Sequence, residues 1–258
     1  MIERSLRTPL LFGSALLLAA ALGGLVVLGL QAMLPGLSGN KAQVERIVHA
    51  YLLENPAILR DMMERLQQQE NAEAQKAQDG AQAAVPAALP ALTAPFASAW
   101  AGNPNGDVTV TVFMDYACGY CRASLPGLAE LTAKDPGVRI VYREYPVLGE
   151  ASVTAARFAL AAAQQGKFRA FHDALFASGG PSTATIGAAL AKAGLDPAAT
   201  QKLANSDAIA KEIDANHQLG AKLAMNGTPA WVVGKQILYG ARDYQALADA
   251  VAAARKAK

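Results

Sequence analysis

The chain contains two cysteines, three positions apart in the stretch MDYACGYCRASLPG: Cys118 and Cys121. Thiols at that spacing can close a disulfide on each other, supply two ligands to a metal, or stand together by chance. The residues before them, DVTVTVFMDY, are β-branched and nearly continuous in apolar character, the pattern of a buried strand. A helix is predicted to start at the cysteines, so Cys118 falls where strand gives way to helix. Unpaired backbone N–H groups and the helix dipole favour an anion there, which stabilises a thiolate. Cys121 lies one turn later on the same face, within disulfide reach. Such a pair divides the work of thiol–disulfide exchange. Cys118 attacks, or is attacked, through a mixed disulfide; Cys121 resolves it and leaves the Cys118–Cys121 bond.

Structural zinc takes four ligands. Beyond the pair the chain offers no cysteine, and His49, His172 and His217 are distant in sequence. No metal site is expected, and no cofactor beyond the redox-active disulfide Cys118–Cys121 itself, although two thiolates also suit Cu(I). His172 and His217 are expected to be structural or solvated. A net charge of +2 over 258 residues gives no electrostatic reason to expect nucleic acid.

The elements that must position the pair are those of an α/β domain. Pro126 falls inside the predicted helix and removes one of its hydrogen bonds. VRIVYREYP is a second strand, followed by four helical stretches between Ala151 and Met225. GTPAWVV then sets Thr228-Pro229 directly ahead of a strand, a place where a cis X–Pro bond is expected. A β-hairpin turning at Gly234-Lys235 and a helix with basic residues at its C-terminal end complete the chain.

Upstream, residues 10–30 (LLFGSALLLAAALGGLVVLGL) carry no charge, follow Arg4 and Arg7, and are long enough to cross a bilayer. A secretory signal has a shorter apolar core, about 7–15 residues, and a small residue at −3, where LQAM puts Leu30. Over residues 1–31 an uncleaved transmembrane anchor is therefore favoured over a signal peptide. Either way the body of the protein is exported, where disulfides persist. Residues 40–79 read as an amphipathic helical region, with Val44, Ile47, Val48, Tyr51 and Leu52 at helical spacing. After an Asn55-Pro56 restart, Ile58, Leu59, Met62, Met63 and Leu66 continue the stripe. A helix pair this small has no core of its own, so its stripe must bury against something: packing on the main domain is one outcome, and self-association is the one expected. Residues 80–92 (GAQAAVPAALPAL) show no periodicity and read as an Ala/Pro linker and domain boundary, leaving 93–258 as the main domain.

The strand into CGYC, the helix with Pro126, the helical block and NGTPAWVVG before the last strand and helix together resemble the thioredoxin superfamily, in its DsbA-like branch. The resemblance runs from about Thr93 to the C-terminus. It implies a thioredoxin fold with an inserted all-helical subdomain at about 151–225, and a cis Pro229 beside the catalytic disulfide. It also implies tuning roles for Thr228, which holds substrate backbone, and for Gly119 and Tyr120 between the cysteines; Tyr120 also offers an aromatic surface to unfolded substrate. VERIVHAYLLENPAILRDMMERLQQQE is similar to the N-terminal region of the suppressor-of-copper-sensitivity C (ScsC) proteins, periplasmic DsbA-like proteins of which several form trimers acting as disulfide isomerases. CGYC is also the active-site sequence of the periplasmic isomerase DsbC. The likeness implies a bacterial periplasmic thiol–disulfide oxidoreductase, oligomeric (a trimer) through residues 40–79. A membrane thiol-redox partner would keep it reduced, and it would act on unfolded or misoxidised exported proteins. A monomeric DsbA-like dithiol oxidase is the alternative, and a Cu(I)-binding protein using the same cysteines is the rival of another class.

Two features depart from the pattern: the membrane anchor, where the usual form is soluble, and one local position. Many relatives place a buried acid six residues before the first cysteine, where this chain has Val112. Asp115 is expected to be a solvated or capping residue, and Glu144 an exposed strand residue rather than a substitute proton acceptor. Packing is the expected role of Trp231.

Overall fold

The computed structural model describes residues 41–257, together with Gly24 and Gly29. The expected anchor over residues 10–30 lies outside them; among the described residues no helix is long and apolar enough to cross a membrane. The chain divides into two units, Met1–Asn71 and Ala72–Lys258.

The first unit holds α1 (Lys41–Glu54) and the beginning of α2 (Ala57–Thr93). Asn55 closes α1 by donating both its backbone and its side-chain N–H to the Tyr51 carbonyl, each at 2.9 Å. Pro56 cannot continue that ladder and opens the next helix instead. α1 buries none of its residues. Val44, Ile47, Val48, Tyr51, Leu53, Leu59, Met62, Met63 and Leu66 all stand at least half exposed.

In the second unit α2 corrects the reading of residues 80–92 as a linker: they are helical throughout, with Pro86 and Pro90 inside the helix. Ala81, Val85, Ala88 and Leu92 form a buried stripe at i, i+4, i+7 and i+11, while both prolines face solvent. There the carbonyls that lose an intrahelical partner remain open to water. The stripe packs with Phe113, Tyr145, Leu223, Met225, Val232 and Ile237. Tertiary burial outweighs the local cost of two prolines, and an Ala-rich stripe gave no contrast in hydropathy to announce it.

The sheet has five strands in the order β1-β3-β2-β4-β5: β1 (Trp100–Gly102), β2 (Val108–Met114), β3 (Val138–Glu144), β4 (Ala230–Val233) and β5 (Gln236–Tyr239). β2 and β3 run parallel, joined by α3 (Gly119–Lys134); every other pairing is antiparallel. β2 is buried almost along its length because both faces are covered, and its buried Thr111 hydroxyl donates to the Leu92 carbonyl at 3.0 Å. Val110, Val112 and Met114 meet α3 and the later helices, while Phe113 faces the α2 side. α3 and α9 (Tyr244–Lys256) approach so closely at Gly127 that a Cβ there would lie 2.8 Å from the Tyr244 nitrogen.

Between β3 and β4 come α4 (Glu150–Gln164), α5 (Phe168–Ala177), α6 (Thr183–Ala193), α7 (Pro197–Ala204) and α8 (Asp207–Lys222). This is the all-helical insertion that the resemblance implies. The last stretch, expected as one helix, is two: Asn205 caps α7 and Ser206 starts α8. The short edge strand β1 carries too few residues for a period-2 signal.

Candidate functional site

Cys118 occupies the N-cap position of α3, in extended conformation, with no side chain capping the helix. Its thiol donates to the Thr228 carbonyl at 3.2 Å and the residue is 6% exposed. Cys121 is fully buried, its sulfur accepting the Asp115 backbone N–H at 3.5 Å. Burial pushes the Cys121 thiol far above its ordinary range, against the opposing effect of that N–H. Both cysteines are free thiols. The two sulfurs are thus unequal: one at the mouth of the helix beside the Thr228 carbonyl, one sealed behind it and held protonated. The arrangement can carry an exchange that begins at Cys118 and ends at Cys121.

Thr228-Pro229 is cis, and it directs the Thr228 carbonyl onto the Cys118 sulfur. Tyr120 projects outward, 70% exposed, and open space surrounds the place where Gly119 would carry a Cβ, so sterics do not demand glycine there. Trp231 is buried opposite Val112 in the ladder, and its indole N–H donates to the Gly240 carbonyl at 2.9 Å. The structure therefore brings Cys118, Cys121 and Thr228-Pro229 together, with Tyr120 at the surface beside them. Among the described residues no group of three or more His, Cys, Asp and Glu side chains converges to hold a metal.

Two residues are more buried than expected. Asp115 takes the capping role of its two expected ones, but from a buried position rather than a solvated one. One carboxylate oxygen accepts the Ala117 N–H (2.8 Å), and the other accepts those of Val147 (2.8 Å) and Leu148 (3.0 Å). It clips the turn before Cys118 to the loop after β3, and these charge-assisted bonds offset its burial. Glu144 is 1% exposed, not an exposed strand residue. Tyr116 donates to its Oε1 at 3.2 Å and stands 3.0 Å from His172 Nδ1. With the tyrosine proton directed to the carboxyl, His172 donates from Nδ1 to the tyrosine oxygen, which assigns its tautomer. Glu144 Oε2 and His172 Nε2 have no protein partner. Burial raises the Glu144 carboxyl and the Tyr116 hydroxyl well above their ordinary values and lowers the His172 imidazole. The sequence signal for this trio was weak, because β3 alternation alone does not say that its last residue turns inward beneath an insertion.

The sign of the resulting pH dependence follows from proton counting. Above about pH 4.5 the unfolded chain releases the Glu144 proton while the folded chain keeps it. Folded Glu144 therefore costs stability that grows as pH rises, by about 1.4 kcal/mol per pH unit for one proton. His172 acts in the opposite sense, costing stability as pH falls below its ordinary value. Glu144→Gln is expected to gain stability over the parent, with a gap that widens from pH 5 to pH 8 in urea titrations. A gap constant with pH would mean that Glu144 is ionised in the fold.

The DSBA-like thioredoxin domain family matches residues 109–252, and the copper resistance protein ScsC N-terminal domain family matches residues 40–73. A thioredoxin-like oxidoreductase from Silicibacter pomeroyi DSS-3 superposes with TM-score 0.60 at 44% identity, covering 62% of this chain and 92% of that one. The catalytic domain of Proteus mirabilis ScsC does so with TM-score 0.61 at 30% identity, over 67% and 97%. Proteus mirabilis ScsC in a transitional conformation gives TM-score 0.63 at 28% identity, over 86% and 99%. Among curated proteins, Na(+)/H(+) antiporter NhaA 3 of Salinispora tropica is 37% identical over 78 residues, 30% of this chain; the chain spans 12% of that protein.

Proposed function

Because the chain belongs to the DsbA-like thioredoxin family, a family of thiol–disulfide oxidoreductases, we propose that it exchanges disulfides of exported proteins through Cys118 and Cys121. The observation that carries this reading is the inequality of the two thiols, one at the helix mouth and one buried and protonated. The Cys118 thiolate attacks a client disulfide, forms the Cys118–client bond and expels the other client sulfur as thiolate. Two outcomes then compete. In the first, Cys121 loses its proton and attacks Cys118; the client leaves reduced by two electrons and the Cys118–Cys121 disulfide remains. In the second, a different client thiolate attacks the client sulfur of the mixed disulfide, a new client disulfide forms, and Cys118 departs as the thiolate it began as. The second is isomerisation, with no net electron transfer. A buried thiol slow to ionise delays the first and favours the second, as only the thiolate attacks.

Isomerisation also profits from several such centres on one assembly. The stripe on α1 and the start of α2 supports a homo-oligomer, since it leaves nine large apolar side chains at least half exposed and lies within the region similar to the ScsC N-terminal domain. Exposed apolar area of this kind is unfavourable by about 25 cal/mol per Å² until a partner covers it. We place the protein in the periplasm as a trimer, anchored by residues 10–30, with a membrane thiol donor keeping the pair reduced and no further cofactor.

The test compares the exported chain with a variant carrying Leu59→Glu and Leu66→Glu. Native mass and recovery of a scrambled-disulfide protein are measured together. The parent is expected to be oligomeric and active, and the variant monomeric, with isomerisation reduced about tenfold but glutathione exchange intact. Equal isomerase activity in monomer and oligomer would sink the oligomeric reading. Absence of exchange with oxidised glutathione in the parent would sink the oxidoreductase reading itself.

A further inference from the structure

The edge of the sheet next to the thiols is covered over one half and open over the other. β5 is an edge strand, and Gln82 of α2 lies against it as a short strand would. The Gln82 side-chain amide donates to the Lys235 carbonyl, and the Ile237 N–H donates to Gln82 Oε1 at 3.3 Å. Ile237 therefore directs its backbone polar groups away from β4. In an antiparallel ladder inward and outward pairs alternate, so Tyr239 also directs its N–H and C=O outward. Gly240, next in line, points back in and donates to the Pro229 carbonyl at 2.9 Å, as that alternation requires.

Over Tyr239 there is space instead of a covering side chain. A cavity of about 320 Å³ is lined by Ala74, Ala77 and Gln78 of α2, by Thr228 and Pro229, and by Tyr239. The rest of its wall is small and neutral, and no charged side chain reaches it. Gln78 sits one turn before Gln82 on the same helix face, and its carboxamide has no hydrogen-bond partner among the described residues. The cavity begins at Thr228, whose carbonyl already touches the Cys118 sulfur.

We propose that this cavity holds an extended segment of the client polypeptide, which adds along the open end of β5 while Gln78 pairs with its other edge as Gln82 pairs with β5. The inference rests on the thiol-exchange reading and adds to it a second point of attachment, on a helix that precedes the thioredoxin-like domain. The occupant must present free N–H and C=O groups in extended form, next to a sulfur bonded to Cys118. An unfolded client tethered by the mixed disulfide does this at high effective concentration. The neutral lining of small residues makes the site read backbone rather than side chains, which suits many clients.

The test uses the full chain carrying Cys121→Ser, so that adducts on Cys118 persist. One adduct is made with a disulfide-bonded unfolded peptide of about ten residues, which at about 3.3 Å per extended residue is more than long enough to run from Cys118 through the cavity, the other with glutathione, and amide hydrogen exchange is read at Tyr239. The peptide adduct is expected to slow exchange at Tyr239 at least tenfold over the glutathione adduct. In the parent, Gln78→Ala and the cavity-filling Ala77→Leu are each expected to raise KM for the peptide about fivefold, leaving the rate with oxidised glutathione within a factor of two. Equal exchange at Tyr239 in both adducts, or an unchanged peptide KM in both variants, overturns the proposal. So does protection of Tyr239 that exists without any adduct and grows with protein concentration, which would seat a second copy there. Failure of the glutathione adduct to form removes the thiol-exchange reading as well, whereas failure of the peptide adduct alone overturns only this proposal.

Discussion

Cys118→Ser is expected to bring disulfide exchange down to the uncatalysed rate, whereas Cys121→Ser should keep the first step and accumulate mixed disulfides. The asymmetry follows from burial. Cys118 lies at the mouth of α3 with its sulfur on the Thr228 carbonyl, while Cys121 is sealed and its thiol is pushed far up by desolvation. Only a thiolate attacks or is alkylated. In Cys118→Ser, iodoacetamide should therefore modify Cys121 at least tenfold more slowly than an ordinary cysteine at pH 7. Below its raised pKa the thiolate fraction grows about tenfold per pH unit, so that rate should climb from pH 7 to pH 9 without levelling. A plateau below pH 9 would mean that Cys121 ionises like an exposed thiol, and the division of labour between the sulfurs would fall. In Cys121→Ser, mass spectrometry should find client or glutathione on Cys118; an unmodified Cys118 after incubation with oxidised glutathione would have the same consequence.

The parts of this site that were legible in the sequence are those encoded by strong local rules. Two cysteines at a strand end, a proline in the following helix and a Thr-Pro pair before a strand each carry a geometric consequence, and the fold places them together. Glu144 was misread, and Asp115, which does cap backbone N–H groups as expected, was not foreseen as buried, because their settings are not local. Asp115 follows the end of β2 and Glu144 ends β3, places where sequence predicts solvent, and each is buried by something distant: the loop at Val147 and Leu148 for Asp115, the insertion helix bearing His172 for Glu144. The helix through residues 80–92 escaped for another reason. Half of its buried positions are alanine, its prolines sit where breaks are usual, and the groups that bury it and close its end, Arg143 on β3 among them, lie far along the chain.

Arg143→Ala is expected to lower stability by about 3–5 kcal/mol, the range for removing one partner of a buried ion pair. The guanidinium is 6% exposed and does three things at once. It donates to the carbonyls of Ala91, Leu92 and Ala94, closing the C-terminal end of α2, where carbonyls lack helical partners. It pairs with Glu212 of α8 at 2.9 Å. It also donates to Asn216, whose own side-chain amide donates to the Glu144 carbonyl. Desolvation lowers the Arg143 guanidinium and raises the Glu212 carboxyl despite their contact. A buried ion pair is weak evidence of net stability, yet removing one member strands the other. The deficit of Arg143→Ala should accordingly be greatest at pH 7 and shrink towards pH 4, where Glu212 becomes protonated in folded and unfolded chains alike. Arg143→Met combined with Glu212→Leu should recover part of the loss, because no charge is left unpaired, but not all of it, because the α2 carbonyls remain open. Urea midpoints of the two variants at pH 4 and 7, with limited proteolysis of residues 72–93, measure both effects. A double variant as unstable as Arg143→Ala would show that the helix cap, not the stranded carboxylate, carries the loss.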